Sequence, residues 1–221
     1  MNNTTMDQKL LLDQKWKKLV KLAGSFRFAP FVDFVIVTGS MAVGNVKESS
    51  DFDLLIAVQE GRMFTARYAV NVIFSLLGKR RPDDFEETKR DKLCLNHFVT
   101  EATWKITSIN PYSATIYRNW VPLWGDKAKI EKFFVLNSDY DPNMAMHLSD
   151  LRFNGKKKSP GAKVLENMLG GTAGDFLEKN VAGAIAKRRL RRYLAAKQGT
   201  GRFVLSDQEL EFHSSPKLQT K

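Results

Sequence analysis

The sequence holds a single cysteine, Cys94. That excludes an intrachain disulfide and a cysteine-built zinc cage, and it leaves a reducing compartment open. Long apolar runs are also missing. The longest, residues 64–77, is interrupted by Thr65, Arg67, Asn71 and Ser75, and it falls short of the about 20 apolar residues that span a bilayer. The opening residues, Met1 to Asp7, are polar and carry no secretory h-region. These absences predict a soluble cytoplasmic protein with no membrane span. There is no internal repeat and no low-complexity tract. Histidine is scarce: His147 and His213 stand in polar surroundings without metal-ligand spacing, and neither receives a role.

What is present supports a sizeable core. The chain has 221 residues, 43% of them hydrophobic, enough for one ordinary domain or one domain with a smaller appendage. The net charge of +11 is placed unevenly. Residues 1–150 carry 20 Lys+Arg against 18 Asp+Glu, and residues 151–221 carry 15 against 6. The basic character therefore lies in the C-terminal third. Its densest part, Ala186 to Leu194, suits a helix lying along a nucleic acid or another polyanion, or equally a solvated helical face.

Hydrophobic periodicity predicts a helix over Asp7–Ala23, a strand over Phe31–Val37, and a short helix over Met41–Val46. A strand over Asp51–Val58 follows, then a largely buried helix over Arg62–Leu77. Asp83–Asp91 reads as a loop or frayed helix. Strands are expected over Lys92–Val99 and Trp104–Ile109, and helices over Pro111–Trp120 and Lys127–Leu136, with a short apolar segment, Val121–Gly125, between them. The polar stretch 137–160 reads as a linker or mobile loop. Gly161–Lys197 is helical in pattern with a break at Gly170-Gly171. Arg202–Leu205 is a short strand, and the tail after Ser214 is loose. The expected organisation is thus a domain over 1–136, a linker over 137–160, and a basic helical region with its tail over 161–221.

The chemistry is concentrated in one stretch. Gly39-Ser40-Met41-Ala42-Val43-Gly44 follows the first strand, and Ser50-Asp51-Phe52-Asp53-Leu54 opens the second. Two aspartates one residue apart on a strand point to the same side, because side chains alternate with period two. Adjacent carboxylates repel unless a cation lies between them. On an otherwise apolar strand, Mg²⁺ is the natural partner, since it takes oxygen ligands and is commonly held by one or two carboxylates plus substrate phosphates. Gly39 lets a phosphate approach closely, Ser40 supplies a hydroxyl, and a following helix start offers N–H groups. Together they describe a site for a metal-chelated nucleoside triphosphate, ATP or another.

The stretch resembles the signature of polymerase-β-like nucleotidyltransferases, most closely the small bacterial and archaeal domains. Gly39, Ser40, Ala42, Gly44, Ser50, Asp51, Asp53 and Leu54 fill the signature positions. The resemblance implies an α/β fold, a small mixed β-sheet flanked by helices. It implies Mg²⁺ held by Asp51 and Asp53, a triphosphate held by Gly39 and Ser40, and two-metal in-line transfer of a nucleoside monophosphate to an acceptor with release of pyrophosphate. The acceptor is not legible. The family also has a third carboxylate on a neighbouring strand, and Lys92–Val99 contains none. Asn96 is the best positional substitute and is carried as a catalytic candidate, although an amide can ligate a metal and cannot act as a base. Asp91, His97 and Glu101 stand near the same strand. The missing acid motivates a second reading, a catalytically weak nucleotide-binding or interaction module on the same fold. A third is an RNA-binding protein acting through the basic C-terminal helix. Outside the motif, Arg67 is expected to pair with a carboxylate at a core edge, and Lys79-Arg80-Arg81 to be a solvated charge run.

Overall fold

The computed structural model describes residues 3–81, 89–106, 119–139, 152–155, 157–196 and 201–214. Helix α1 (Asn3–Ala23) turns Trp16, Leu19 and Ala23 inward at helical spacing. A 3₁₀ turn, Gly24–Phe28, leads into β1 (Val32–Val37), whose six residues are all buried. The chain then forms α2 (Gly39–Val43), β2 (Phe52–Val58), α3 (Met63–Leu76) and β3 (Leu93–Val99). β2 runs antiparallel to β1, and β3 runs parallel to β2, so α3 carries the crossover that a parallel pair requires. β4 (Val121–Gly125) joins the other side of β1, followed by α4 (Lys127–Leu136).

The remaining elements are β5 (Asn154–Gly155), α5 (Pro160–Leu169), α6 (Thr172–Phe176), a π-helical stretch (Leu177–Ala182) that continues into α7 (Gly183–Ala196), and the hairpin β6 (Gly201–Leu205) and β7 (Glu209–Ser214). Among the described residues the sheet runs β5-β4-β1-β2-β3-β7-β6. The mixed sheet flanked by helices is the α/β fold expected. Its alternating strands feed two cores. Phe52, Leu54 and Ile56 pack toward α1 and α3, while Leu55 and Ala57 face α4 and the rings of Phe34, Trp104 and Trp120.

Several expectations change in contact with the fold. α4 has the bounds expected, with Asp126 capping its start by accepting from the Lys129 N–H. α3 is not buried all round: Phe64, Ala66, Val70 and Phe74 face the core, whereas Tyr68 is 70% and Leu76 83% exposed. Trp104–Ile106 is not a strand, and 107–109 lie outside the described residues. So do most of the expected helix over 111–120, residues 83–88 of the expected loop, and 215–221. Most of 137–160 is also outside, but Asn137 is buried and tied to the Trp104 and Phe133 carbonyls and the Ile106 N–H.

The basic C-terminal third is anchored by its acids. Glu178 accepts from the Phe64 and Thr65 N–H groups (2.6 and 2.9 Å) and from the Thr65 hydroxyl, placing a carboxylate on the start of α3, where unpaired N–H groups favour an anion. Glu166 accepts from the Phe31 N–H, and Asp175 pairs with Arg62 at 2.7 Å. β7, not anticipated from its sequence, pairs antiparallel with β3.

Candidate active site

β1 ends in Thr38, whose N–H donates to the Asp53 carbonyl at 3.0 Å. This bond fixes the Gly-Ser turn against β2. Gly39 follows with φ +64°, a conformation that L side chains resist. Space forces the same choice, since a Cβ on Gly39 would stand 2.4 Å from Asp53 Oδ2. Backbone and carboxylate are therefore in direct contact at the point where the sequence places the triphosphate. Ser40 stands next, partly exposed in the first turn of α2. Gly44, φ +80°, closes that helix, and Asn45 N–H returns to the Ser40 carbonyl.

Asp51 stands just before β2 and Asp53 within it, both partly exposed. The strand opposite supplies Cys94. Asp53 pairs in register with Cys94, and ligand atoms of Asp51, Asp53 and Cys94 all lie within 4.8 Å of one another. The thiol is 3% exposed. Burial, then the adjacent Asp53 carboxylate, push its pKa well above the ordinary range against the opposing pull of Arg81, so the sulfur keeps its proton at neutral pH. Arg81 completes the group. Its Nη1 donates to Asp51 Oδ2 at 2.7 Å and lies 3.5 Å from Cys94 Sγ. Burial works to lower the Arg81 pKa, but Cys94, Asp51 and Asp53 together raise it.

Asn96 does not join this group. Asp53 pairs with Cys94 and Leu55 with His97, so two steps along β2 match three along β3. The extra residue is a β-bulge, and it turns Asn96 to the other side of the sheet, where it lines a groove with Arg67 and Tyr68 of α3. His97 goes instead to Glu209 and Glu211 of β7, with Nε2 3.5 Å from Glu209 Oε1. Asp91 is held by Lys15 and Lys18, and Glu101 is exposed and pairs with Lys132. Arg67 lies over the Phe98 and Phe212 rings.

Two members of the site were missed in the sequence. Cys94 carries no signal without the β2/β3 register. Arg81 looked like a solvated charge, but its N–H bonds the Leu93 carbonyl at 2.9 Å, which pins the Lys79–Arg81 turn beside β3 and aims the guanidinium at Asp51.

Residues 12–109 match the nucleotidyltransferase domain family. That segment is a nucleotidyltransferase domain. It contains every residue of the site, from Gly39 to Cys94, and the fold from the middle of α1 through β3. No curated protein matches the chain, and no solved structure does. No helix among the described residues is long and apolar enough to cross a membrane.

The donor set can be tested against the divalent metal that such domains generally use. Two carboxylates meeting at one edge, with Gly39 making room for the Asp53 carboxylate, suit one hard cation shared with phosphate oxygens. The third donor is sulfur, a softer ligand that Mg²⁺ does not favour. Asp51 and Asp53 thus fit one Mg²⁺, and a pair of Mg²⁺ ions held by three carboxylates is not what these residues offer.

Proposed function

We propose that the protein transfers a nucleoside monophosphate from an NTP to an acceptor, with Mg²⁺ held by Asp51 and Asp53 and pyrophosphate leaving. The observation that supports this reading is the close approach of Gly39 and the Asp53 carboxylate, which would set a phosphate cradle beside a metal ligand. When bound, the metal would offset charge on the triphosphate and orient its α-phosphorus.

The chain's own residues do the rest. Gly39 admits a phosphate oxygen close to the backbone, and the Ser40 hydroxyl donates to it. Arg81 keeps its charge at all working pH values. It orients Asp51 by a charge-assisted hydrogen bond and adds a cation beside the phosphates. Neither Arg81 nor the protonated Cys94 accepts a proton, so the acceptor hydroxyl must lose its proton to solvent, to a phosphate oxygen, or to a group brought by the acceptor. Transfer without a positioned base loses about 10²–10⁴-fold in rate, which makes this a slow enzyme on its own.

That loss favours the second reading, a nucleotide-binding module with weak turnover, and the observation behind it is Cys94 in the place facing Asp53. Release of labelled pyrophosphate from each NTP, with Mg²⁺ and with sugar phosphates, tRNA and protein as acceptors, separates the two. Acceptor-dependent release that stops in Asp53→Asn supports the enzyme. NTP binding with no release under any acceptor supports the module.

A further inference from the structure

The bulge that turns Asn96 away from the aspartates sets His97 beside Leu55, on the sheet face that also carries Val99. β7 lies alongside, with Glu211 opposite His97 and Glu209 opposite Val99. The two glutamates alternate with Leu210 and Phe212, which turn into the other core. Side chains from two strands therefore meet at one place. A nitrogen of the His97 imidazole and one carboxylate oxygen from each glutamate all lie within 4.8 Å of one another. His97 is 2% and Glu211 3% exposed, while the Glu209 side chain, at 14%, forms the open side.

The backbone beneath this group is pinned. Ser206 Oγ accepts from the Glu209 N–H at 2.8 Å, and the Ser206 N–H donates to the Glu209 carbonyl at 2.9 Å, which closes the turn between β6 and β7. The Gln208 carbonyl accepts from the Thr100 N–H and from the Thr103 hydroxyl, both at 2.8 Å. These bonds fix the turn to the end of β3. Ligands carried on paired strands are held more precisely than ligands on loops. A tetrahedral Zn²⁺ with bonds of about 2.0–2.2 Å sets its ligand atoms about 3.3 Å apart. Closing from 4.8 Å asks for at most about 1.5 Å, which rotation of the glutamate side chains covers.

The donors select the metal. Mg²⁺ and Ca²⁺ take oxygen ligands, whereas an imidazole beside carboxylates suits Zn²⁺. Two carboxylates match a dication in charge. Three protein ligands leave the fourth position to water on the side where Glu209 reaches solvent. We propose that His97, Glu209 and Glu211 bind a Zn²⁺ ion that clips the C-terminal hairpin to the nucleotidyltransferase domain. An ion bound to the folded chain alone stabilises it. Asp51, Asp53 and Cys94 belong to a separate group, so the clip and nucleotidyl transfer stand or fall separately. The competing arrangement is the ion pair of His97 Nε2 with Glu209 Oε1, 3.5 Å apart, with no metal.

The test is calorimetric titration of Zn²⁺ into the untagged full chain carrying Asp51→Asn/Asp53→Asn, which silences the aspartate site. One Zn²⁺ per chain is expected, with a rise in melting temperature. Glu209→Gln and His97→Gln are each expected to weaken binding about tenfold or more, since a lost ligand costs at least what a lost outer partner of a ligand does. Each variant is also expected to lose the Zn²⁺-dependent rise. Metal-free melts verify that the variants fold, and if the buried His97→Gln does not, Glu209→Gln decides alone. Co²⁺ in place of Zn²⁺ reads the donors directly, and d–d bands without a thiolate charge-transfer band are expected. No binding overturns the proposal and leaves the ion pair. Affinity retained in Glu209→Gln overturns it too, as does a thiolate band that Cys94→Ser removes, which would assign the ion to the aspartate site.

Discussion

Gly39 is the residue on which the site depends most. An alanine there meets two obstacles at once: a left-handed backbone, which costs an L residue about 1–2 kcal/mol, and the Asp53 carboxylate 2.4 Å from the new methyl. Gly39→Ala is expected to lower stability by about that amount, read by thermal denaturation, and to abolish Mg²⁺-dependent NTP binding, because relief of the clash displaces Asp53, the proposed metal ligand. Cys94 makes the converse case. Cys94→Asp places a third carboxylate beside Asp51 and Asp53. Without metal it is expected to destabilise by about 1–3 kcal/mol, because a third carboxyl is buried beside two others that share the Arg81 cation. With Mg²⁺ it is expected to gain about tenfold in metal affinity, since added ligand charge tightens oxygen-donor sites. Thermal melts with and without Mg²⁺ read both effects, and a melting temperature indifferent to the metal would count against Cys94 facing the ion.

At the scale of elements, long-range polar contacts hold the helices to the sheet. Lys15, 2% exposed, donates to Asp91 and to the Glu48 and Ser50 carbonyls, joining α1 to the segments that open β2 and β3. Burial alone would raise the Asp91 pKa, but hydrogen bonds from Lys18 and Lys15 outweigh it and lower the value. A carboxyl lowered on folding stabilises above its unfolded pKa, about 3.9 for Asp. That contribution is lost as pH falls through the lower folded value. Asp91→Asn should therefore cost stability at pH 7, on the order of 2 kcal/mol given the buried Lys15, and should flatten the acid limb of a denaturation-versus-pH curve below about pH 4. Glu178 plays the equivalent part for the C-terminal helices. Glu178→Ala removes three hydrogen bonds at the start of α3 and is expected to cost about 1–2 kcal/mol, as loss of a helix cap does. Hydrogen exchange would show it as faster exchange at the Phe64 and Thr65 amides.

The elements also show what a linear reading can reach. Helix α4 and the Gly39–Asp53 motif were legible because their signals are local: a capping aspartate followed by apolar periodicity, and glycine, serine and two aspartates at fixed spacing. Cys94 was not, because its partner lies 41 positions earlier in the chain and is chosen by register. Asn96 was misplaced relative to the aspartates by a bulge that shifts one strand by one residue and turns the side chain over. The exposed stripe of α3 escaped notice because an apolar residue on a surface has the same identity as one in a core.

For the molecule as a whole, the nucleotidyltransferase domain and the C-terminal third share one sheet. β7 pairs with β3, the strand that carries Cys94, so the C-terminal hairpin covers what would otherwise be an open edge beside the site. Ending the chain at residue 200 should expose that edge and lower the melting temperature, with aggregation visible by size-exclusion chromatography. A truncated protein that stays monomeric with an unchanged melt would mean that the hairpin is dispensable. The central claim is that Asp51 and Asp53 hold a metal that binds a nucleotide, and calorimetric titration of non-hydrolysable NTPs with and without Mg²⁺, on the wild type and on Asp51→Asn/Asp53→Asn, tests it most directly. The expected result is binding that requires Mg²⁺ and disappears in the double variant. Binding that ignores the metal, binding that survives both substitutions, or failure of the wild type to bind any of the NTPs would contradict it.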